Sequence, residues 1–310
     1  MRIRLFDEVL DKNRVIDVLD KFLKDINPAF KINGEQFYSS IAVLGDQTDL
    51  SRDSLVVEDN NGKLIGFTGL LKSSKQDFWQ LQIGILPEYF KSNFTLNLFE
   101  SILQLAKEQN APDIRFTISK YLFTDSLLKE KFKEMGLKPV HYDFWMSLNK
   151  IDSIPTFKDP SGITFQNQKE ISDVNGYLTV LNDAFNKHFD FRPLTEEEFR
   201  LVFEKKWKED DTANWFAFEG NKLIGICTLT INPELSHIGI IDVLGVLHEN
   251  HHRGIGSSLL GHGIQSLIEK GCTTIELGVE ATNEKALTLY KKFGFNEVES
   301  RTLIFYTIKV

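Results

Sequence analysis

The chain has 310 residues, a formal net charge of −8, 42% apolar and 26% charged residues, and 25 phenylalanines. That length suits two ordinary domains, and the apolar content is enough for two cores. The acidic balance argues against nucleic acid as a partner and fits a cationic one. Two cysteines, Cys227 and Cys272, make no disulfide framework. The start, MRIRLFDEVLDKNR, puts charges where a signal peptide needs an apolar core, and no apolar run reaches membrane length, so a cytoplasmic protein without a membrane partner is expected.

In chain order, residues 2–6 read as a strand and 12–24 as a helix with Val15, Ile16, Leu19, Phe22 and Leu23 inward. Asn27-Pro28 interrupts it, and a further helical patch covers 36–44. Residues 54–58 and 63–71 form a hairpin around Asn60-Asn61-Gly62. A strand over 80–86, a helix over 94–106, a strand over 113–119 and a helix ending at Met135 follow, and the strand HYDFWMSL closes the half. Residues 151–161 carry two prolines and no periodicity, as a linker would.

The order then repeats. A strand from Gly162 leads to a helix through Leu178 and Phe185, and Thr195 with Glu198 opens a second helix as a capping box. A hairpin over 215–218 and 223–230 leads to a buried strand over 238–246. The polar run HENHHRGIG enters a helix with Leu259, Leu260, Ile264, Leu267 and Ile268 at helical spacing, stopped by Gly271. A strand over 273–280, a short helix with Ala286, Leu287, Tyr290 and Phe293 on one face, and the strand LIFYTIKV complete the chain. Lys63-Leu64-Ile65-Gly66 returns as Lys222-Leu223-Ile224-Gly225, Ile85 as Val246 and Gly136 as Gly294, all about 160 residues apart. Two copies of one α/β fold with a mixed sheet are expected, at 1–150 and 162–310.

A buried strand that runs through a glycine turn into a helix aims several backbone N–H groups and a helix N-terminus at one spot, which suits a phosphate or pyrophosphate. Here the residues carry a likeness. His251-His252-Arg253-Gly254-Ile255-Gly256 resembles the Q/R-x-x-G-x-G/A coenzyme A loop of the GCN5-related N-acetyltransferases, with His251 where that family usually has Gln or Arg. Asn283, Ala286, Leu289-Tyr290 and Phe293-Gly294-Phe295 resemble its second motif, N-x-x-A-x-x-L-Y-x-x-x-G-F. With the internal repeat, the likeness extends over nearly the whole chain, in a tandem arrangement similar to mycothiol synthase-like members. The first copy has FKSNFT in place of the glycine loop, with Lys91 its one cation, and has Asp125, Phe132 and Leu81 opposite Asn283, Tyr290 and Asp242. It is expected to be a degenerate domain.

The resemblance implies an N-acetyltransferase that passes an acetyl group directly from acetyl-CoA to a primary amine of a small molecule or peptide, at the second copy and without a metal. Backbone groups of His251, His252, Arg253, Gly254, Ile255, Gly256 and Ser257 would hold the pyrophosphate. Those of Leu244, Gly245 and Val246 would hold pantetheine and polarise the thioester oxygen, Gly245 easing a local bulge. Tyr290 is the candidate acid, since a phenol ionises above a thiol; the bland alternative is a packing ring, as Phe132 would be. Asn283 would lie near pantetheine or simply cap its helix. Asp242, on the inward parity of an apolar strand, is the candidate base or the anchor of a water, with burial expected to raise its pKa; Glu234 and His237 stand in reserve. The run 182–199 supplies His188, Asp190 and Arg192 as candidate acceptor contacts.

Two rival readings remain. One is a non-catalytic acyl-CoA-binding protein. The other is zinc hydrolysis, because His248-Glu249-Asn250-His251-His252 satisfies H-E-x-x-H; that chemistry needs a helix, and Gly254 and Gly256 follow at once. Cys227, in an apolar strand, reads as an inert buried thiol. Nothing in the sequence specifies an oligomeric state.

Overall fold

The computed structural model describes residues 1–26, 45–74, 76–89, 93–119, 132–149, 154–168, 173–200, 214–232 and 235–309, with positions 34, 35, 38, 41, 130 and 151 between them. The chain divides into two compact units, one of Met1–Tyr142 with Glu299–Val310 and one of Asp143–Val298. Apart from positions 38 and 41, the expected helix over 36–44 lies outside the described residues, as do Lys91, Asp125 and Glu234. Among those described, no helix is long and apolar enough to cross a membrane.

The first unit contains β1 (Arg2–Leu5), α1 (Glu8–Ile26), α2 (Leu50–Asp53), β2 (Ser54–Glu58), β3 (Leu64–Leu71), β4 (Phe78–Ile85), α3 (Asn93–Glu108) and β5 (Asp113–Ser119). Its sheet runs β1-β2-β3-β4-β5 and is completed by β13 (Leu303–Ile308) from the other end of the chain. Only β4 and β5 are parallel. Every residue of β3 is buried, as a strand covered on both faces requires. Leu19 of α1 reaches Gly84 on one face, and Phe94 and Leu98 of α3 reach Gly66 on the other. Between α3 and the sheet Phe99, Phe116, Phe132 and Tyr306 form an aromatic cluster, with Phe99 and Phe132 centroids 4.7 Å apart and Tyr306 stacked on Phe116 at 5.2 Å.

The second unit takes β6 (Lys138–Leu148) from Asp143 onward, then β7 (Ile163–Gln168), α4 (Val174–Phe185), α5 (Glu196–Phe199), β8 (Asn214–Glu219), β9 (Lys222–Ile231), β10 (Ile238–Val246), α6 (Ile255–Glu269), β11 (Thr274–Glu280), α7 (Glu284–Lys292) and β12 (Asn296–Glu297). The sheet order is β6-β11-β10-β9-β8-β7, with β10 and β11 the parallel pair. Ile255 and Leu259 of α6 reach Gly225, and Leu267 reaches Gly239. On the opposite face Ala184 and Phe185 of α4 reach Gly245.

The internal repeat is visible in backbone geometry. Leu86 N–H donates to Ile65 O at 3.0 Å, and Leu247 N–H donates to Ile224 O at 2.9 Å, within the segments that repeat in sequence. Two features go beyond the expected layout. The last strands are exchanged: β6 follows β5 in sequence but pairs with β11, and β13 follows β11 but pairs with β5. The limits 1–150 and 162–310 therefore differ from the compact units. Two strands of similar alternating pattern are interchangeable locally, and only long-range pairing selects the partner. Second, residues 154–160 of the expected linker dock on α6. Phe157 lies over Gly261, where no side chain fits, Ser258 Oγ donates to Lys158 O, and His262 Nε2 sits 3.0 Å from Asp159.

The exchange makes a direct prediction. Tyr306→Ala removes a buried ring and should cost about 3–5 kcal/mol of stability. Hydrogen exchange should report the loss in amides of β5 and spare those of β11; the reverse distribution would mean that β13 belongs to the second unit.

Candidate active site

Strand β10 pairs with β11 only from Ile238↔Thr274 to Ile241↔Leu277. Beyond that point Gly278–Glu280 of β11 stay with β6, and β10 stays with β9 as far as Val246↔Gly225. The two parallel strands part. Where they part, the β10–β9 register shifts at Asp242, between Ile241, which faces Leu229, and Val243, which faces Thr228. This is a β-bulge. Leu247 N–H points to β9, so alternation turns the N–H and C=O groups of Leu244 and Val246 to the edge that β11 has left. The result is a strand edge with polar backbone groups facing a gap. The shift falls three residues before Gly245, which was expected to ease it. A Cβ there would lie 3.1 Å from Ala184 Cβ and 3.3 Å from Phe185 Cε2, so the glycine serves the close approach of α4.

After Val246 the chain makes one 3-10 turn, His248–Asn250, and extends at His251. His252 then adopts φ +62 and Gly254 φ +82 before α6 starts at Ile255 without a side-chain cap. A left-handed histidine costs on the order of 1 kcal/mol, which the surrounding turn must offset. The first intrahelical bond is Ser258 N–H to Gly254 O, so Ile255, Gly256 and Ser257 present their N–H groups ahead of the helix. A Cβ on Gly256 would come no nearer than 3.8 Å to Val246 Cγ2 and 3.9 Å to Leu289 Cδ2. Protein packing does not require that glycine, and what it keeps free is the space over the helix end. An uncapped helix N-terminus beside an open strand edge fits a pyrophosphate with an extended polar arm, as coenzyme A has.

The other loop side chains are engaged within the protein. His251 Nε2 lies 3.0 Å from Val246 O. Burial holds the His251 pKa below its ordinary value; the carbonyl opposes this, while the charges of His248, Lys285 and His252 add to it. His248 N–H donates to Asp183 Oδ2 at 2.6 Å, and its Nδ1 is 3.1 Å from the same oxygen. Burial alone would raise the Asp183 carboxyl, but these bonds hold it below the usual carboxylate range. Arg253 is exposed and forks Glu219 at 2.6 and 3.2 Å, and His252 is exposed. The H-E-x-x-H run is a turn, so His248 and His252 do not share a helical face.

Asn283 caps α7, its Oδ1 accepting from Ala286 N–H at 3.1 Å. That helix carries Tyr290, which is buried and packs on Phe295 with centroids 6.0 Å apart. Burial pushes the Tyr290 hydroxyl well above its ordinary pKa, and the neighbouring Cys227 adds to it. Asp242 needs correction, because the bulge turns it out and leaves it exposed rather than desolvated. Its charge is felt inside: after burial, it is the next cause that raises Tyr177 and Cys227.

Of the acceptor-side candidates, His188 packs on Phe185 at 4.7 Å, and its Nδ1 lies 3.5 Å from Glu280 Oε1, at the end of β11. Phe189 N–H donates to that same oxygen at 2.6 Å, tying the segment after α4 to the far wall of the gap. Asp190 occupies a left-handed turn at φ +54. Arg192 is spent locally on Glu198, at 2.8 Å, within the Thr195 capping box. His237 contributes its carbonyl, which accepts from Thr273 and Thr274 and joins the starts of β10 and β11. Sequence reasoning missed Glu280, Asp183 and Tyr177. Glu280 alternates like any strand residue, and the other two lie on an amphipathic helix, so only their partners identify them.

Residues 178–295 match the acetyltransferase (GNAT) family model. Mycothiol acetyltransferase of Saccharopolyspora erythraea is 24% identical over 254 residues, 78% of this chain and 82% of the relative. The same enzyme of Acidimicrobium ferrooxidans is 34% identical over 125 residues, 40% of each chain. Among solved structures, a GCN5-related N-acetyltransferase from Sphaerobacter thermophilus superposes with a TM-score of 0.69 at 16% identity, over 99% of this chain and 95% of that one. A tandem GNAT protein from the clavulanic acid biosynthesis pathway does so at 0.68 and 13%, over 99% and 98%. Residues 178–295 therefore match a GNAT acetyltransferase domain, the chain as a whole has the fold of the tandem GNAT proteins, and together these support an N-acetyltransferase by class. Within that class its two-unit arrangement is similar to that of the mycothiol acetyltransferases.

The lowered His251 pKa predicts a pH effect with a definite sign. Between the unfolded value near 6.5 and the lower folded one, the unfolded chain binds more protons, so stability falls as pH falls through that window. Denaturant titrations of His251→Gln should show a shallower loss from about pH 6.5 downward than the wild type. Equal slopes would mean that the buried ring is not what titrates.

Proposed function

We propose that the second unit binds acetyl-CoA in the gap between β10 and β11 and transfers its acetyl group to a primary amine of a small molecule or peptide. The supporting observation is the adjacency of two backbone features: the open edge at Leu244 and Val246, and the uncapped start of α6 behind Gly254 and Gly256. The GNAT family uses acetyl-CoA as its donor, and bound coenzyme would supply an activated thioester carbonyl. Toward it the chain offers N–H groups of Leu244 and Val246, fixed in place by the β9 ladder. A fixed backbone donor of this kind contributes about 3 kcal/mol to a transition state in which charge develops on oxygen.

Tyr290 Oη holds its proton across the working pH range, as an acid for a departing sulfur must. Asp242 stands at the bulge, at the root of the open edge and in solvent, where a carboxylate takes a proton from an ammonium directly or through one water. The segment tied to Glu280 forms the acceptor side, with His188 as its nearest candidate contact. The names of the relatives point to mycothiol chemistry, but at these identities the acceptor is best stated as a primary amine.

The first unit contrasts with this at each point. Its β3–β4 register runs from Gly66 to Leu71 with no shift. Phe132, which takes the place of Tyr290 in the sequence repeat, is packed into the aromatic cluster. We assign it a structural role, with the chemistry in the second unit.

Two variants test this reading. Tyr290→Phe should lower kcat about 100-fold while the acetyl-CoA dissociation constant stays within about twofold, because the ring keeps its packing. Unchanged turnover would remove the hydroxyl from the mechanism. Gly254→Val places a β-branched residue at φ +82 and should abolish acetyl-CoA binding in calorimetry; normal binding would mean that the turn does not hold the pyrophosphate.

A further inference from the structure

The gap edge is not fully open. Of the backbone groups that Leu244 and Val246 turn toward it, the Val246 carbonyl is met by the His251 ring at 3.0 Å. A carbonyl only accepts, so Nε2 carries the proton and Nδ1 is left as an acceptor. Burial keeps this ring neutral at physiological pH. Its orientation is set from behind. The His248 ring lies 4.9 Å away, tilted by 30°, and is fixed in turn by Asp183, which takes both its backbone N–H and its Nδ1. Asp183 belongs to α4, whose next two residues pack on Gly245 of the same strand edge.

A continuous chain of contacts thus runs from α4 through Asp183, His248 and His251 to the end of β10. It crosses the place where the strand stops and the turn toward α6 begins. Two binding elements meet there, the strand edge and the helix N-terminus, and a ligand that spans both gains affinity only if their separation is fixed.

We propose that His251 is a positioning residue, whose bond to the Val246 carbonyl fixes the strand edge relative to the helix N-terminus, with Asp183 and His248 holding its ring. The proposal rests on the reading of the gap as a coenzyme A site. It assigns the histidine a role distinct from contact with the phosphates, since the ring faces the strand. It also accounts for a histidine at a position where the resembled family usually has Gln or Arg: each of these side chains can offer an N–H to a carbonyl.

The test compares a long ligand with half of it. Calorimetry would be run with acetyl-CoA and with 3′-phosphoadenosine diphosphate, which has the pyrophosphate but no pantetheine arm. His251→Ala should weaken acetyl-CoA about tenfold and the half-ligand by less than about twofold. In steady-state kinetics the rise in KM for acetyl-CoA should exceed any fall in kcat, and His251→Gln should restore most of the loss. Asp183→Asn, which leaves the loop side chains in place, should give a smaller loss of the same kind and keeps the test decisive if His251→Ala does not fold. Wild-type affinity of His251→Ala for both ligands would overturn the proposal and leave the coenzyme reading intact. Equal weakening of both would overturn it too, since His251 would then serve the phosphate end alone. Binding of neither ligand by the wild type would remove the coenzyme reading and the proposal with it.

Discussion

The second unit depends on one shift of register, at Asp242. With Asp242 looped out of register, β10 keeps its ladder to β9 on one side and loses β11 on the other. A strand inside a sheet normally has both edges satisfied, and polar backbone groups left without partners are costly unless water or a ligand meets them. Here the parting turns backbone groups of Leu244 and Val246 to the gap, the Val246 carbonyl being met by His251, directly before the turn that delivers the start of α6. The bulge also puts a carboxylate at the root of the gap. Gly245 lets α4 close over the strand from the opposite face. The strand edge, Asp242 and the segment after α4 are thus brought to the gap through backbone geometry more than through any one side chain.

The first unit shows the same frame with a different interior. It keeps the parallel pair of central strands and the repeated Leu86–Ile65 bond. It has no register shift in β3–β4, and four aromatic rings fill the space under α3. Exchange of the last strands means that the first unit is built from two separate stretches, Met1–Tyr142 and Glu299–Val310, while the second is the continuous stretch Asp143–Val298. The first unit takes β13, the sixth strand of its sheet, from the far end of the chain, which ties its stability to that strand.

Much of this was legible in the residues, and the failures have physical causes. The glycine turn was readable because positive φ and close approach leave few alternatives to glycine, and Gly254 at φ +82 is where the spacing put it. The α7 cap at Asn283 and the buried face with Tyr290 follow from local hydrogen bonding and helical period. The location of the bulge was not readable. A shift of one residue exchanges the faces of everything beyond it, so parity assigned Asp242 to the interior when it is exposed. Strand exchange was hidden because alternation says which face is buried and nothing about the neighbour. Arg192 looked available for a ligand because its partner, Glu198, had already been read as part of a cap. His251 was read through its backbone, and its ring turned out to have a partner five residues back.

The central claim is that one of the two units carries the coenzyme site. Calorimetric titration of acetyl-CoA into the full chain tests it most directly. One site per chain is the predicted result. Two sites would contradict the structural role given to the first unit, and no binding would contradict the assignment of the gap itself.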